Sequence, residues 1–368
     1  MKSYFGDKAV LVTGASGFIG SWICAVMLEL GAKVYGTVTR NSNPFSTYNL
    51  LNIPGRIEAI GVDIRDYKPI HDAFTTIKPD IIIHLAAVGS VPRSLADPLA
   101  TFYINSFGTL NILECCRELN LTGKLLIAST DLAFGNDISN FPVSHGYDGY
   151  DEDKTVSFSG PYGTSKGVME LIARCYKYSF PDSMPSVSIV RCANVFGYGD
   201  VTERRVIPLF INSSIKKGSI QLKYRENGRQ FLYITDAVRG YLKIITSLDK
   251  ITLPTDTVST FHLALEKYPP GPKPYISMID LATLVANKLG SNVDLTDSIA
   301  FAPKECKIQA LNCHKTRATI NWEPRKSLSE GIDSTSEWYQ ILNSEKPGRL
   351  DLLKRLLKKA IEEITSKL

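Results

Sequence analysis

The most constraining stretch of this chain is Val10-Leu-Val-Thr-Gly-Ala-Ser-Gly-Phe-Ile-Gly20. β-prone residues from Ala9 to Val12 run into Gly14, Gly17 and Gly20, and apolar residues at helical spacing follow at Ile23, Val26, Met27 and Leu30. A strand that turns at once into a helix leaves the first helical N–H groups without partners, and such groups attract phosphate. In this pattern Gly14 makes the turn, Gly17 lets the backbone approach a pyrophosphate, and Gly20 lets helix and strand pack closely. The next strand is Ala32-Lys-Val-Tyr-Gly-Thr-Val38, so the triplet opens a strand–helix repeat. A dinucleotide site is the expectation.

The repeat continues. Arg56 to Gly61 reads as a strand with Asp63 just beyond it, and a helix runs through Asp72 to Ile77. Lys78-Pro-Asp-Ile-Ile-Ile-His-Leu85 has the continuous apolar run of a strand buried on both faces, followed by the small residues Ala86 and Ala87. Asp97-Pro98 opens a long helix to Glu118, and Lys124 to Ala128 is another buried strand ending at Ser129-Thr130-Asp131. A helix from about Ser165 to Tyr178 and a strand from Val187 to Arg191 follow. Such alternation predicts an α/β fold with a doubly wound parallel sheet. From about residue 195 the pattern changes to short strands (Ile220 to Tyr224, Arg229 to Ile234) and helices (Asp236 to Thr246, Ile279 to Leu289). The expected organisation is a dinucleotide-binding Rossmann domain over 1–195 and a smaller, interleaved substrate lobe over 196–345. Pro269 to Pro274 reads as a stiff surface loop within that lobe. A C-terminal amphipathic helix over 346–368 completes the chain, with Leu353, Leu357, Ile361, Ile364 and Leu368 on one face. Packing on its own body or on a second subunit suits that face better than a membrane surface.

Composition excludes more than it assigns. The net charge is only +5 from 42 basic and 37 acidic residues, a mild basicity that does not imply nucleic acid. Seven cysteines lie scattered without metal-ligand spacing, as in a reduced, cytoplasmic protein without a metal site. No apolar run reaches the roughly 18 residues of a membrane span, and the N-terminus lacks the apolar core of a signal peptide.

The residues with chemistry cluster late in the first half. Tyr162 and Lys166 stand four apart at a helix start, so one turn brings the ammonium beneath the phenol. Its charge is expected to favour the phenolate and lower a pKa normally near 10. A phenolate beside a nicotinamide takes the proton of an alcohol while hydride leaves its carbon, and Thr130 can share that hydrogen bond. After the second strand, Arg40 with Ser42 suits a ribose 2′-phosphate, which favours NADP over NAD.

With these residues in view the chain resembles the extended short-chain dehydrogenase/reductases that act on nucleotide sugars, over about residues 5 to 340. The matching stretches are Thr13 to Gly20, His84-Leu-Ala-Ala87, Asn105-Ser-Phe-Gly-Thr109, Tyr162 with Lys166, Arg191 to Asp200, Asn227 to Asp236, and Asn321-Trp-Glu-Pro324. Asn194 to Asp200 followed by Arg205-Val-Ile-Pro208 is most similar to CDP-glucose and dTDP-glucose 4,6-dehydratases. Arg40 to Thr47 resembles GDP-mannose 4,6-dehydratases, which use NADP. The resemblance implies a cofactor site of Gly14, Ser16, Gly17, Phe18, Ile19, Gly20, Arg40, Ser42, Asp63, Ile64, Leu85, Ala86, Ala87 and Asn105, with Tyr162 and Lys166. It also implies that Asn194 and Arg229 hold the substrate's diphosphate, with Ser90, Arg204 and Arg205 as further substrate contacts. The catalytic set is then Thr130, Asp131, Tyr162 and Lys166, and Asp131 is the group that would protonate a departing C6 hydroxyl.

One position departs from the pattern. Hexose 4,6-dehydratases place Glu or Lys after the Thr-Asp pair, at the position associated with C5 deprotonation, and this chain has Leu132. Loss of a general base costs about 10²–10⁴ in rate, so Ser90, Glu203 or water would have to serve. Three functions follow: an NDP-hexose 4,6-dehydratase; a 4-epimerase or C4 dehydrogenase/ketoreductase, which needs only Thr130, Tyr162 and Lys166; and a non-catalytic NADP-binding scaffold. Family members commonly pair through two long helices, here about Thr101 to Leu119 and Tyr162 to Tyr178. Phe102, Phe107, Ile112 and Leu113 on the first, and Val168, Met169, Ile172 and Tyr176 on the second, are expected to supply a four-helix homodimer interface.

Overall fold

The computed structural model describes residues 1–39, 43–135, 149–251, 254–268, 273–300 and 306–366. Arg40, Ser42, most of the proline-rich loop and Leu368 lie outside the described residues. The expected strands become β1 (Ala9–Thr13), β2 (Lys33–Thr37), β3 (Glu58–Ile60), β4 (Ile81–His84), β5 (Lys124–Thr130) and β6 (Ser186–Cys192). Then come β7 (Asn194–Phe196), β8 (Ser219–Gln221), β9 (Gly228–Arg229), β10 (Phe231–Tyr233), β11 (Ser259–Leu263), β12 (Ile276–Ser277) and β13 (Asn292–Asp294). The central sheet has seven strands in the order β11-β6-β5-β4-β1-β2-β3. Every pairing in it is parallel. From β1 the chain winds outward to β3 and then crosses to β4 on the other side of β1, so the winding reverses between β1 and β4. In open sheets of this kind the crevice at that reversal, outside the strands' carboxyl ends, receives the ligand.

β11 was hidden from a periodicity argument. Ser259, Thr260 and His262 are buried although polar, because their neighbours satisfy them: the His262 N–H donates to Thr316 Oγ1 at 2.9 Å and its Nδ1 lies 2.9 Å from the Asn312 carbonyl. The chain thus returns to the central sheet after visiting the short paired strands β7–β10, β9–β12 and β8–β13.

Two expectations about helices need correction, and a third, on the C-terminal helix, is narrowed to one of its alternatives. The segment expected as one helix from Asp97 to Glu118 is α-helical over Pro98–Phe102 and Gly108–Glu118, with a π turn over Tyr103–Phe107 between them. A Cβ at Gly108 would lie 2.5 Å from Ile64 Cδ1, so the backbone is pressed against its neighbour there. Such a π turn in a helix often marks a functional position. Secondly, Ile112, Leu113 and Met169 are fully buried in the chain's own core and cannot serve a second subunit. The outward apolar residues are Leu99, Tyr103 and Phe107 on one side and Leu171 and Tyr178 on the other. Thirdly, the C-terminal helix Arg349–Ser366 buries Leu353, Leu357, Ile361 and Ile364 against helices Phe18–Glu29, Ile234–Ser247 and Leu328–Leu342. Its apolar face packs on its own body. Among the described residues no helix is long and apolar enough to cross a membrane.

That packing gives a direct test. Leu357→Ala removes a fully buried side chain and should cost about 2–5 kcal/mol in urea unfolding. Leu352→Ala, at a site 38% exposed, should stay within about 0.5 kcal/mol. Equal, small losses at both positions would show that the helix does not hold this docked position.

Candidate functional site

At the reversal point β1 ends and Gly14 takes a φ of +70°. A Cβ there would sit 3.0 Å from the Ala86 Cα, so the ends of β1 and β4 are in contact. A Cβ on Gly20 would overlap the Gly14 carbonyl oxygen, which is how closely the helix Phe18–Glu29 lies against its strand. Gly17 caps that helix and is exposed, with Ser16, Phe18 and Ile19 partly exposed around it. The cradle fits a pyrophosphate: no side chain fills it, and it opens on the free N–H groups of a twelve-residue helix.

Behind the cradle the polar groups are fully engaged. Thr13 Oγ1 accepts from the N–H groups of Leu85 and Ala86, both at 3.1 Å, and lies 2.7 Å from His84 Nδ1. With two donors already on it, the hydroxyl donates to Nδ1, which leaves the His84 proton on Nε2, 3.0 Å from Thr109 Oγ1. Burial, reinforced by the charge of Lys166, lowers His84 to about 3, so the ring is neutral. Leu85, Ala86 and Ala87 are partly exposed at the end of β4. Asp63 is held by the side chain of Arg65 at 2.9 Å, and Ile64 is buried beside Gly108. Asn105, within the π turn, is fully buried and lies behind the crevice rather than in it. Its Oδ1 accepts from Val88 N at 2.8 Å, and its Nδ2 donates to Ser165 Oγ at 2.9 Å. Ser165 in turn donates to the Tyr162 carbonyl at 2.8 Å. Asn105 therefore fixes the crevice wall to the helix that carries Tyr162 and Lys166.

That helix, Pro161–Ser179, starts four residues earlier than expected, with Pro161 in its first turn. Tyr162 is hydrogen-bonded to Thr130 at the end of β5. The lowered phenol pKa expected from sequence is not the state of the chain itself. Burial pushes Tyr162 up to about 12, against the Thr130 hydrogen bond and the positive field of Arg205. Lys166, lowered to about 8 by burial, donates to the Ala128 carbonyl at 2.6 Å instead of bonding the phenol. Beside them Asp131 is buried, with Oδ1 accepting from Thr130 at 3.0 Å and Oδ2 without a hydrogen-bond partner. Burial raises its pKa; the Thr130 bond and the charge of Arg229 oppose the rise. Burial thus shifts Asp131 toward its protonated form, the form that can give up a proton.

The substrate residues are placed unevenly. Arg229 on β9 is partly exposed, donates to the carbonyls of Gly228 (2.9 Å) and Lys307 (3.2 Å), and projects its charge onto Asp131. Asn194 is exposed on β7, with its amide on the Gln230 carbonyl at 3.1 Å. Arg205 pairs with the buried Asp200 at 3.1 Å and stacks 5.3 Å from the Phe18 ring centre, so it reaches from the segment after β7 to the glycine turn. Arg204 is exposed, and Ser90 caps the helix Val91–Ala96. Glu203 pairs with Lys216 on the surface at 3.6 Å.

Sequence reasoning missed what lies beneath the helix Pro161–Ser179. Glu170 and Arg191 are buried and form a two-point ion pair, Nε–Oε1 at 2.9 Å and Nη2–Oε2 at 2.6 Å. Ser129 donates to Glu170 at 2.5 Å, and the guanidinium also reaches the Glu152 carbonyl at 3.0 Å and stacks on Phe134. The available signal was Glu170 standing four residues after Lys166. Among the described residues no group of His, Cys, Asp and Glu is arranged to hold a metal ion, and the seven cysteines are unpaired.

Residues 10–258 match the NAD dependent epimerase/dehydratase family. A CDP-glucose 4,6-dehydratase of Salmonella typhimurium is 24% identical over 345 residues, spanning 92% of each chain. A UDP-glucuronate 4-epimerase of Thermodesulfobacterium geofontis is 25% identical over 89% of this chain and 95% of its own. Among solved structures, Pal from Bacillus thuringiensis superposes with a TM-score of 0.76 at 25% identity, covering 91% of this chain and 99% of its own.

The buried carboxyl sets a pH-dependent stability. Asp131 has a folded-state pKa above its unfolded value, so its stabilising contribution is present at low pH and is lost as pH rises through the folded pKa. Asp131→Asn escapes that loss. Its melting temperature should therefore exceed that of the parent by roughly 2 °C at pH 8 and match it near pH 4, read by scanning calorimetry. A variant that melts below the parent at pH 8 would contradict this account.

Proposed function

The chain belongs to the NAD dependent epimerase/dehydratase family, and we propose that within it the chain is a nucleotide-sugar 4,6-dehydratase. The observation that carries this reading is Asp131, a buried carboxyl of raised pKa with one oxygen unpartnered, next to Thr130 and facing Arg229. Elimination of water needs a proton delivered to the leaving hydroxyl, whereas redox at C4 alone does not. The named relatives, a 4,6-dehydratase and a 4-epimerase among them, support the nucleotide-sugar class.

A nicotinamide cofactor supplies the hydride acceptor for oxidation at C4 and the hydride returned to C6. The glycine turn from Gly14 to Gly20 holds its pyrophosphate, and Ala86 and Ala87 leave room at the end of β4. Arg40 and Ser42 support NADP, with NAD as the alternative. Tyr162 takes the C4 hydroxyl proton, Thr130 shares that hydrogen bond, and Lys166 stabilises the phenolate. Oxidation at C4 acidifies the C5 hydrogen, and Asp131 protonates the departing C6 hydroxyl. Arg229 and Asn194 bind the diphosphate, with Arg205 closing the site from the lobe. In this reading the 196–345 lobe, β11 excepted, caps the carboxyl edge of the sheet.

Leu132 favours a second reading. With no ionisable group at that position, a 4-epimerase or C4 dehydrogenase/ketoreductase needs nothing that the site lacks. Incubation with CDP-, dTDP-, UDP- and GDP-hexoses in D₂O, with NADP and NAD in parallel, separates the two. The dehydratase reading expects a 4-keto-6-deoxy product labelled at C5, and Tyr162→Phe should lose about 10²–10⁴ in turnover while still binding cofactor. An unlabelled epimer as sole product would sink it in favour of the second reading. Full activity in Tyr162→Phe would exclude that residue as the proton acceptor.

We also propose a homodimer through the helices that carry Phe107 and Leu171, 52% and 53% exposed. Large apolar side chains clustered outward on adjacent helices are unusual on a monomer. Light scattering at micromolar concentration should give about twice the 40.7 kDa chain mass. Phe107→Glu with Leu171→Glu should reduce it to the chain mass, and a dimer surviving both changes would place the interface elsewhere.

A further inference from the structure

We propose that Glu170 is a positioning residue for proton transfer: through its buried pairing with Arg191 it holds Lys166 and the end of β5 in the arrangement that Tyr162 requires. The inference rests on Tyr162 and Lys166 being the proton-transfer pair. Tyr162, Lys166 and Glu170 recur every fourth residue along the helix Pro161–Ser179, and so line one of its faces. Glu170 is fully buried, which is costly for a carboxylate unless it is paired and hydrogen-bonded. It is both. Two guanidinium nitrogens of Arg191 reach its two oxygens, and Ser129 donates at 2.5 Å.

Each of those partners leads to the reacting groups. Ser129 directly precedes Thr130, which holds the Tyr162 phenol. Arg191 lies on β6, where Ser129 pairs with it across the β5–β6 ladder. One turn back along the helix stands Lys166, whose ammonium is fixed on the Ala128 carbonyl. Glu170 thus ties the end of β5 and β6 to the catalytic helix at three points.

The charge has an effect that packing alone would not have. Burial works to strip the proton from Lys166, and the negative field of Glu170 opposes it. The other groups around them do not take over this role. His84, facing Lys166 from β4, is neutral, as is His262, which approaches Arg191 from β11 at 3.4 Å. Glu152 offers Arg191 its backbone carbonyl, while its carboxylate takes the N–H and hydroxyl of Thr316, both at 2.9 Å. Arg174, one turn beyond Glu170, is turned to Thr260 at 2.7 Å.

The experiment compares Glu170→Asp, Glu170→Gln and the double variant Glu170→Gln/Arg191→Met in the full chain. Removing one member of a buried pair strands the other charge and can unfold the protein, whereas replacing both is often tolerated. Urea unfolding and cofactor binding identify the folded variants. The titration of Lys166 is followed without turnover, as the pH dependence of its reductive methylation mapped by peptide mass spectrometry. In the folded Gln-containing variants the midpoint should move down by about one pH unit, and Glu170→Asp should restore it. In turnover, kcat should fall at least tenfold with substrate KM within about threefold, and the alkaline limb of the pH profile should move the same way. An unmoved labelling midpoint in a folded variant overturns the proposal, because the pair is then only a structural stitch. A moved midpoint with no turnover of any nucleotide sugar by the parent leaves Glu170 assigned and overturns the dehydratase reading instead.

Discussion

Much of this structure depends on how closely two strand ends approach each other. β1 and β4 lie side by side where the winding of the sheet reverses. Their carboxyl ends touch through Gly14 and Ala86, with Gly20 pressed against the Gly14 carbonyl from the helix side. No side chain fits between these three backbones. That exclusion creates the cradle, and the Thr13 hydroxyl locks it by receiving two N–H groups from the opposite strand. From there the polar chain runs through His84 and Thr109 to the π turn, and through Asn105 and Ser165 to the catalytic helix. The glycine cradle and the candidate pair Tyr162 and Lys166 are therefore joined by a continuous chain of buried polar groups.

The parts of the fold legible in the sequence are those whose physics is local. Continuous apolar runs, such as Ile81-Ile-Ile83, announced the buried parallel strands, and the glycine spacing announced the first turn. β11 was invisible because its buried polar residues are satisfied by groups about fifty positions away, which no window of sequence can show. The π turn was invisible for a related reason. Its cause is the contact of Gly108 with Ile64 and the hold of Asn105 on Val88, both set by tertiary neighbours. Amphipathicity likewise could not tell which of two apolar faces stays exposed: Met169 lies in the core while Leu171, two residues on, faces outward.

The grouping of the candidate site residues was legible in the sequence, and their energetics were less so. Thr130, Asp131 and Tyr162 lie together, and the charges of Arg229 and Arg205 act on Asp131 and Tyr162 respectively. Spacing alone suggested that Lys166 acidifies Tyr162. Burial proves the larger effect on both: it raises the phenol to about 12 and lowers the ammonium to about 8. Desolvation acts on whichever form is charged, so it opposes the phenolate and the ammonium together. Additional positive charge at the site must stabilise the phenolate, and a cationic nicotinamide ring would provide it once bound.

The same desolvation helps Asp131, and this is where the chemistry of the site becomes asymmetric. A proton donor benefits from a dry pocket that disfavours its ionised form. Glu or Lys at position 132 would have to remain functional beside a buried acid and within reach of Arg229. Leu132 avoids that conflict, and its carbonyl is instead engaged by Ser159 at 2.8 Å, close against Gly163 at the start of the catalytic helix. The residue after the acid is therefore part of the scaffold that seats Tyr162. Once C4 is oxidised, the neighbouring C5 hydrogen is already acidified by the carbonyl, and the harder demand is departure of hydroxide. In the proposed dehydratase, protonation by Asp131 would meet that demand, so a site with an acid and without a dedicated base would keep the element that elimination most requires.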